Sequence, residues 1–359
     1  MGDNVSYNYA IEYREGTLTV LKQSVLTEGT VMPLGMGQGF TAVVMSNGAV
    51  TNWGTNTLTI PTVINSSSVG TTNFVGARGL GTGGGASFAL AWLGDGNGIF
   101  WGSTTNSVSN EPFGVAMMVG LSQGSATWVG VIRDNGAQEV IPSNIAGGQV
   151  TGRVVGMAGG SEHGLSLLGD GTVKAWGKDD NGDNKLVVPV GLSNAVGVAA
   201  GLVHSVALKG DGTVEAWGRN DNNATAVPDE LTRTNATNFV RVVAVTAAGL
   251  HNMALRADGS LRWWGPSNHI LNPGHSSNAG LGLENTNNPV VAVGVSSTPH
   301  AAAVRRNGEV VVWGNANESI TSVNTTLRAM VPMGGADSDG VGVLRNGLNI
   351  AQQILRQVN

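Results

Sequence analysis

The sequence contains no cysteine, which excludes disulfide staples, thiolate metal sites and cysteine nucleophiles while leaving the redox compartment open. Charge is scarce as well. Asp, Glu, Lys and Arg make up 12% of the 359 residues, against an ordinary share of about 25%. The 19 Lys and Arg residues are scattered and the formal net charge is -5, so the basic cluster that phosphate backbones require is missing and no nucleic acid partner is expected. No apolar run approaches the roughly 18 residues of a membrane span. The opening stretch MGDNVSYNYAIEYREG lacks the basic start and apolar core of a secretory signal. The expectation is a soluble chain with no membrane insertion and no visible address.

What the chain has in abundance is glycine, 55 residues in all, about twice the usual share of roughly 7%. Hydrophobic residues at 41% supply enough apolar surface to offset the chain entropy of folding. Such a composition fits a compact, turn-rich, mostly β protein.

Two stretches show how the glycines are used: DGTVKAWG at 170–177 and DGTVEAWG at 211–218 differ only at Lys174 and Glu215. Aligned on the turn glycine, degraded copies recur at Gly48, Gly96, Gly136, Gly171, Gly212, Gly259, Gly308 and Gly347, at intervals of roughly 40 residues. Five residues on come Trp53, Trp101, Ile141, Trp176, Trp217, Trp264 and Trp313, with Gln352 in the last unit. Four residues before the glycine sits Val44, Trp92, Ile132, Leu167, Leu208, Leu255, Val304 or Val343. Eight before it sits Phe40, Phe88, Trp128, His163, His204, His251, His300 or Asp339.

Each copy reads as a hairpin. In HSVALKGDGTVEAWG the outgoing strand ends near Lys209, Asp211-Gly212 makes a tight turn that accepts positive φ, and TVEAW returns with alternating side chains. Runs such as AVGVAAG at 195–201 and PVVAVGV at 289–295 are apolar in both directions and read as buried inner strands. The unit is an inner strand, a hairpin and a polar loop with room for a fourth strand. A sheet of that kind, apolar on both faces, needs neighbours to cover it. Repetition with ring closure supplies them, which is the β-propeller; a β-helix would use much shorter units. The fold class expected is therefore all-β, a propeller domain over 30–359 with eight repeat units counted. The segment 1–29, with its NYAIEYREGTLTVLK pattern, would close the ring or dock elsewhere.

The stretch 176–218 resembles the regulator-of-chromosome-condensation repeat in its Gly, His, Ala-Leu strand, Asp-Gly turn and Trp-Gly ending. The likeness is specific over about 157–265 and weaker in the first three units and the last, where Phe, Trp or Asp replaces His. It implies a propeller, commonly of seven blades. Eight units then mean either an eight-bladed ring or one divergent unit outside it.

Candidate chemistry is thin. His163, His204, His251 and His300 recur once per unit, so they are spread around a ring and read as structural. The same holds for the tryptophans. His269 and His275 lie in the long connection 265–289 with no third ligand in view, so a surface loop is the expectation there and no metal is assigned. GLGTGGG at 79–85 matches a dinucleotide fingerprint in letters only, because it opens no helix. DDNGDN at 179–184 is acidic enough for calcium, but its glycine comes too early and no bidentate Glu closes the loop. No catalytic constellation is present and no cofactor is implied.

The reading is a non-catalytic propeller that serves as a structural or protein-binding module, with recognition in the inter-unit loops. Candidate binding residues are His269, Asn272 and His275, with Gln38, Gln123, Glu162 and Asn252 beside the hairpins. The Asn-, Thr-, Ser- and Gly-rich composition resembles that of bacteriophage virion proteins, which suggests other virion subunits or a host surface as partners. Two alternatives stay open. One is guanine-nucleotide exchange, after the namesake of the resembling family, although no exchange residue transfers and the basic tail is absent. The other is inhibition of a bacterial enzyme, for which aromatic loop anchors are expected, whereas the three tyrosines all precede residue 14.

Overall fold

The computed structural model describes residues 8–14, 17–23, 34–37, 40–45, 47–54, 58–81, 88–102, 114–123, 126–141, 147–179, 181–266, 272–273, 281–283, 287–296, 300–314, 344–345 and 348–349. Seven three-stranded antiparallel sheets follow one another along the chain. Their inner, middle and outer strands are Leu34–Gly37, Phe40–Val44 and Val50–Gly54 in the first, and Ala77–Gly81, Phe88–Leu93 and Gly98–Gly102 in the second. The third has Val115–Gln123, Ala126–Arg133 and Gln138–Ile141; the fourth Val154–Gly159, His163–Leu168 and Val173–Gly177. The fifth has Ala195–Ala200, His204–Lys209 and Val214–Gly218; the sixth Val242–Ala248, His251–Arg256 and Leu261–Trp264. Val290–Val295, His300–Arg305 and Val310–Gly314 form the seventh.

The inner strand of each sheet lies beside the inner strand of the next, and that of the seventh lies beside that of the first. The ring is closed with seven blades. At the closing seam Leu34, Met36 and Val43 share one apolar cluster with Ala292, Ala302, Val304 and Val312. A Cβ on Gly294 would come within 2.8 Å of Met36 Sδ and 3.0 Å of Leu34 Cδ2, so the bare glycine leaves room for these two side chains of the first blade.

The eighth repeat unit adds no three-stranded blade among the described residues. Its glycine, Gly347, and Gln352 lie beyond the described residues, and what is described there is a two-residue hairpin, Leu344–Arg345 with Leu348–Asn349, set against the inner strands of the sixth and seventh blades. The N-terminal strands Asn8–Arg14 and Thr17–Gln23 pair with each other and with none of the seven sheets. No fourth strand appears among the described residues; a single parallel bridge from Val50 to Asn65 is all that reaches that position.

The hairpin turns obey one rule. Asn47, Asp95, Asn135, Asp170, Asp211, Asp258 and Asn307 each accept, on their side-chain Oδ1, the backbone N–H two residues on, at 2.9–3.0 Å. The glycine between takes φ near +80°, a left-handed conformation costly for other residues. Its carbonyl has a second use. Gly48, Gly96, Gly136, Gly171 and Gly212 each accept the N–H of the first inner-strand residue of the next blade, at 2.7–3.0 Å. The turn thus closes its own hairpin and stitches one blade to the next.

Tryptophan fills the seams between blades. Trp217 packs with Leu165 and Leu167 of the fourth blade as well as with its own, Trp264 with Val206 and Leu208 of the fifth, and Trp53 with the seventh. In six blades a register shift at the start of the inner strand leaves one residue unpaired, for instance Val196 between Ala195 and Gly197. Such bulges increase the local twist that a propeller blade needs.

Candidate interaction surface

The repeat histidines hold the seams together. His163 Nε2 lies 3.0 Å from Ser205 Oγ and His204 Nε2 lies 2.7 Å from Asn252 Oδ1, each reaching the residue that follows the next repeat position. The amide oxygen of Asn252 can only accept, and the Ser205 hydroxyl donates to Lys185 O at 3.0 Å. Both imidazoles are therefore donors through Nε2. Burial depresses both pKa values; for His163, where the Lys185 charge adds to burial, the value falls to about 3. Each acceptor residue anchors a loop carbonyl that tryptophan also binds. Lys185 O takes Ser205 Oγ and, at 3.1 Å, Trp217 Nε1. Ala224 O takes Asn252 Nδ2 at 3.0 Å and Trp264 Nε1 at 3.1 Å. His251 departs from the pattern and stacks on Trp263 with ring centroids 5.2 Å apart. His300 is buried at the equivalent place, followed by Ala301.

Among the candidate binding residues, Asn252 is fully buried in this lattice and has no side-chain atom to offer a partner. Glu162 is half-buried and takes Lys185 Nζ at 3.2 Å. Gln123 ends the inner strand of the third blade, and Asn272 is partly buried. Gln38, His269 and His275 lie outside the described residues. The acidic stretch 179–184 is occupied from within. Lys185, 1% exposed, sits 3.2 Å from both Asp183 Oδ2 and Glu162 Oε2, and Arg219 Nη1 reaches Asp183 Oδ1 at 2.7 Å. Asp183 of this loop is thus neutralised by two internal cations. Among the described residues no three His, Asp or Glu side chains converge as a metal site.

A second repeat runs through the interblade loops. Ile60-Pro61-Thr62-Val63-Ile64, Val188-Pro189-Val190-Gly191-Leu192 and Val227-Pro228-Asp229-Glu230-Leu231 share an apolar-Pro-x-x-apolar pattern. In each, the last residue donates its N–H to the proline carbonyl, at 3.1, 3.1 and 2.8 Å. The flanking apolar residues pack on their blade: Ile60 and Ile64 on the first, Val188 and Leu192 on the fourth, Val227 and Leu231 on the fifth. The residue after proline is exposed in all three, and here the copies disagree. Val190 is fully exposed where the other loops have Thr62 and Asp229. Val187 is 62% exposed where the fifth blade has Ala226. On the fifth blade, where that side chain is small, a cleft of about 370 Å³ opens between outer strand and loop, lined by Lys209, Val214, Glu215, Ala216, Thr225, Ala226, Val227 and Thr232. Leu202, 43% exposed, projects from the inner turn of the same blade.

Comparison with solved structures places the ring. The CRINKLY WD40 ectodomain of the Arabidopsis thaliana receptor kinase ACR4 matches with a TM-score of 0.54 at 15% identity, over 80% of this chain and 98% of that one. The entire ectodomain of the Physcomitrella patens receptor kinase CR4 matches with a TM-score of 0.57 at 15% identity, over 80% and 74%. The fold is a seven-bladed β-propeller. Prp20p from Saccharomyces cerevisiae matches at 17% identity over 85% and 77%, with a TM-score of 0.45 that carries no weight beyond general likeness. No family model and no curated protein sequence matches the chain. At these identities the likeness is one of fold. Among the described residues no helix is long and apolar enough to cross a membrane.

Proposed function

We propose that this chain is a non-catalytic propeller that binds protein through its interblade loops, as a structural subunit of a larger assembly. The observation that carries the reading is the contrast at one loop position: Val190 stands bare on a loop pinned by Val188 and Leu192, where the next blade has Asp229. Exposed aliphatic side chains on a rigid loop are costly in solvent and useful at a contact. The buried histidines supply no catalyst in this reading, because burial in the blade seams keeps them from any substrate. A bacteriophage particle is the proposed setting, supported by the cysteine-free, weakly charged composition. A photo-crosslinking residue at position 190 is expected to capture discrete protein adducts that the same residue at Lys174 does not, and the chain is expected to sediment with assembled particles. Equal, diffuse capture from both positions would overturn protein binding at this loop; a chain found only free would overturn the particle setting.

A further inference from the structure

Two devices recur at the seams between blades, and the seam between the sixth and seventh has neither. The first is the turn glycine, whose carbonyl accepts the N–H that opens the next inner strand at Gly48, Gly96, Gly136, Gly171 and Gly212. Gly259 makes no such bond to Val290. The second is the histidine that reaches a polar residue of the next blade, Ser205 for His163 and Asn252 for His204. In the seventh blade that position holds Ala301, whose side chain has no acceptor, and His251 stacks on Trp263 instead. The sixth and seventh blades meet through an apolar cluster of Met253 and Leu255 with Ala301, Ala303 and Trp313, a contact that is non-directional.

The C-terminal hairpin lies at this same place. Leu344–Arg345, paired with Leu348–Asn349, rests against the inner strands Val242–Ala248 and Val290–Val295, one from each side of the seam. Inner strands line the central channel of a propeller, so an element that spans two of them sits on the channel wall. We infer that this hairpin is a strap that holds the sixth–seventh seam shut from the channel side, in place of the two absent locks. The hairpin pairs with none of the seven blade sheets, so it can leave the wall without breaking a blade. The seam beneath it then opens at lower cost than seams where buried hydrogen bonds must also break. The ring thereby has one point of controlled opening, governed by whether its own C-terminal hairpin is docked.

Hydrogen exchange of the full chain tests the strap. Leu348→Pro breaks the pairing of Arg345 with residue 348. It is expected to lower amide protection by roughly tenfold or more in Val242–Ala248 and Val290–Val295, while the inner strand Ala195–Ala200 of the fifth blade keeps its protection. Adding Ala301→Ser, which supplies the side-chain oxygen that the fifth blade has in Ser205, is expected to recover part of the loss by giving the seam a histidine lock. Protection unchanged by Leu348→Pro overturns the inference. So does a loss spread evenly over all seven inner strands, which would mark a general weakening of the fold. A local loss that Ala301→Ser does not reduce overturns the claim that the strap stands in for the lock.

Discussion

His204 Nε2 donates to Asn252 Oδ1 across 2.7 Å at the seam between the fifth and sixth blades, and the same asparagine passes the connection on to Ala224 O. One buried amide thus joins two blades and the loop between them. Asn252→Ala leaves the histidine donor without its partner and removes one of the two donors to Ala224 O. The expected loss is about 1–3 kcal/mol of stability, read as a lower urea midpoint. Asn252→Asp keeps the acceptor but buries a charge, and is expected to cost at least as much at neutral pH.

The buried histidines also set a pH dependence. A histidine whose folded pKa lies below its unfolded value of about 6.5 binds protons better when unfolded. Stability is therefore complete above about pH 6.5 and falls as the pH drops from there towards 3, the folded value of His163. At pH 5 the loss from His163 alone is about 2 kcal/mol, and the depressed His204 acts in the same direction. The turn carboxylates Asp170, Asp211 and Asp258, also held below their usual range, add their losses only below about pH 4. Thermal midpoints measured from pH 8 to pH 4.5 should decline in the wild type and decline less in a His163→Gln variant; a flat wild-type profile would contradict the buried, neutral assignment.

Lys185 tests the ionic plug of the acidic loop. Lys185→Met removes the ammonium that separates Asp183 from Glu162 and leaves Asp183 buried with Arg219 as its remaining cation. Breaking a buried pair from one side costs about 3–5 kcal/mol, so a markedly lower thermal midpoint is expected. If the variant instead bound calcium, detected as a calcium-dependent rise in that midpoint, the loop would be shown to be a cation site that lysine has taken over.

Two glycines separate space from conformation. A Cβ at Gly164 would lie 2.2 Å from the Trp176 ring, whereas at Gly182, with φ +66, it would meet nothing within 4 Å. Gly164→Ala is expected to cost about 3 kcal/mol or to prevent folding, and Gly182→Ala only about 1–2 kcal/mol, the price of the left-handed backbone. Denaturant titration of both variants measures the difference.

The hairpins, the seam tryptophans and the structural histidines could be read from the sequence because their offsets from the turn glycine are fixed by pairing within one sheet. His204 opposes Gly218 and Ser205 opposes Trp217 as the spacing requires. The proline loops escaped notice because they float. From Trp53 to Pro61, Trp176 to Pro189 and Trp217 to Pro228 the chain takes a different number of residues each time, so alignment on the turn blurs them. Asn252 looked available because a polar residue after a histidine has no visible partner in one dimension; its partners come from the fifth blade and the loop after it. The blade count was open for the same reason. It rests on Met36 meeting Gly294, a contact between distant residues with no local signature.

That contact sets an order of assembly. Every other seam joins segments that are neighbours in sequence and can zip as the chain collapses, whereas the seam between the first and seventh blades must bring together nearly the whole length of the ring, an encounter with a larger entropic cost and a slower rate. An arc of six or seven blades that has not yet met its own end would bare Met36 at one terminus and Ala292 at the other. Such arcs can join end to end between chains as readily as within one, so refolding yield should fall with protein concentration even though each finished ring is self-contained.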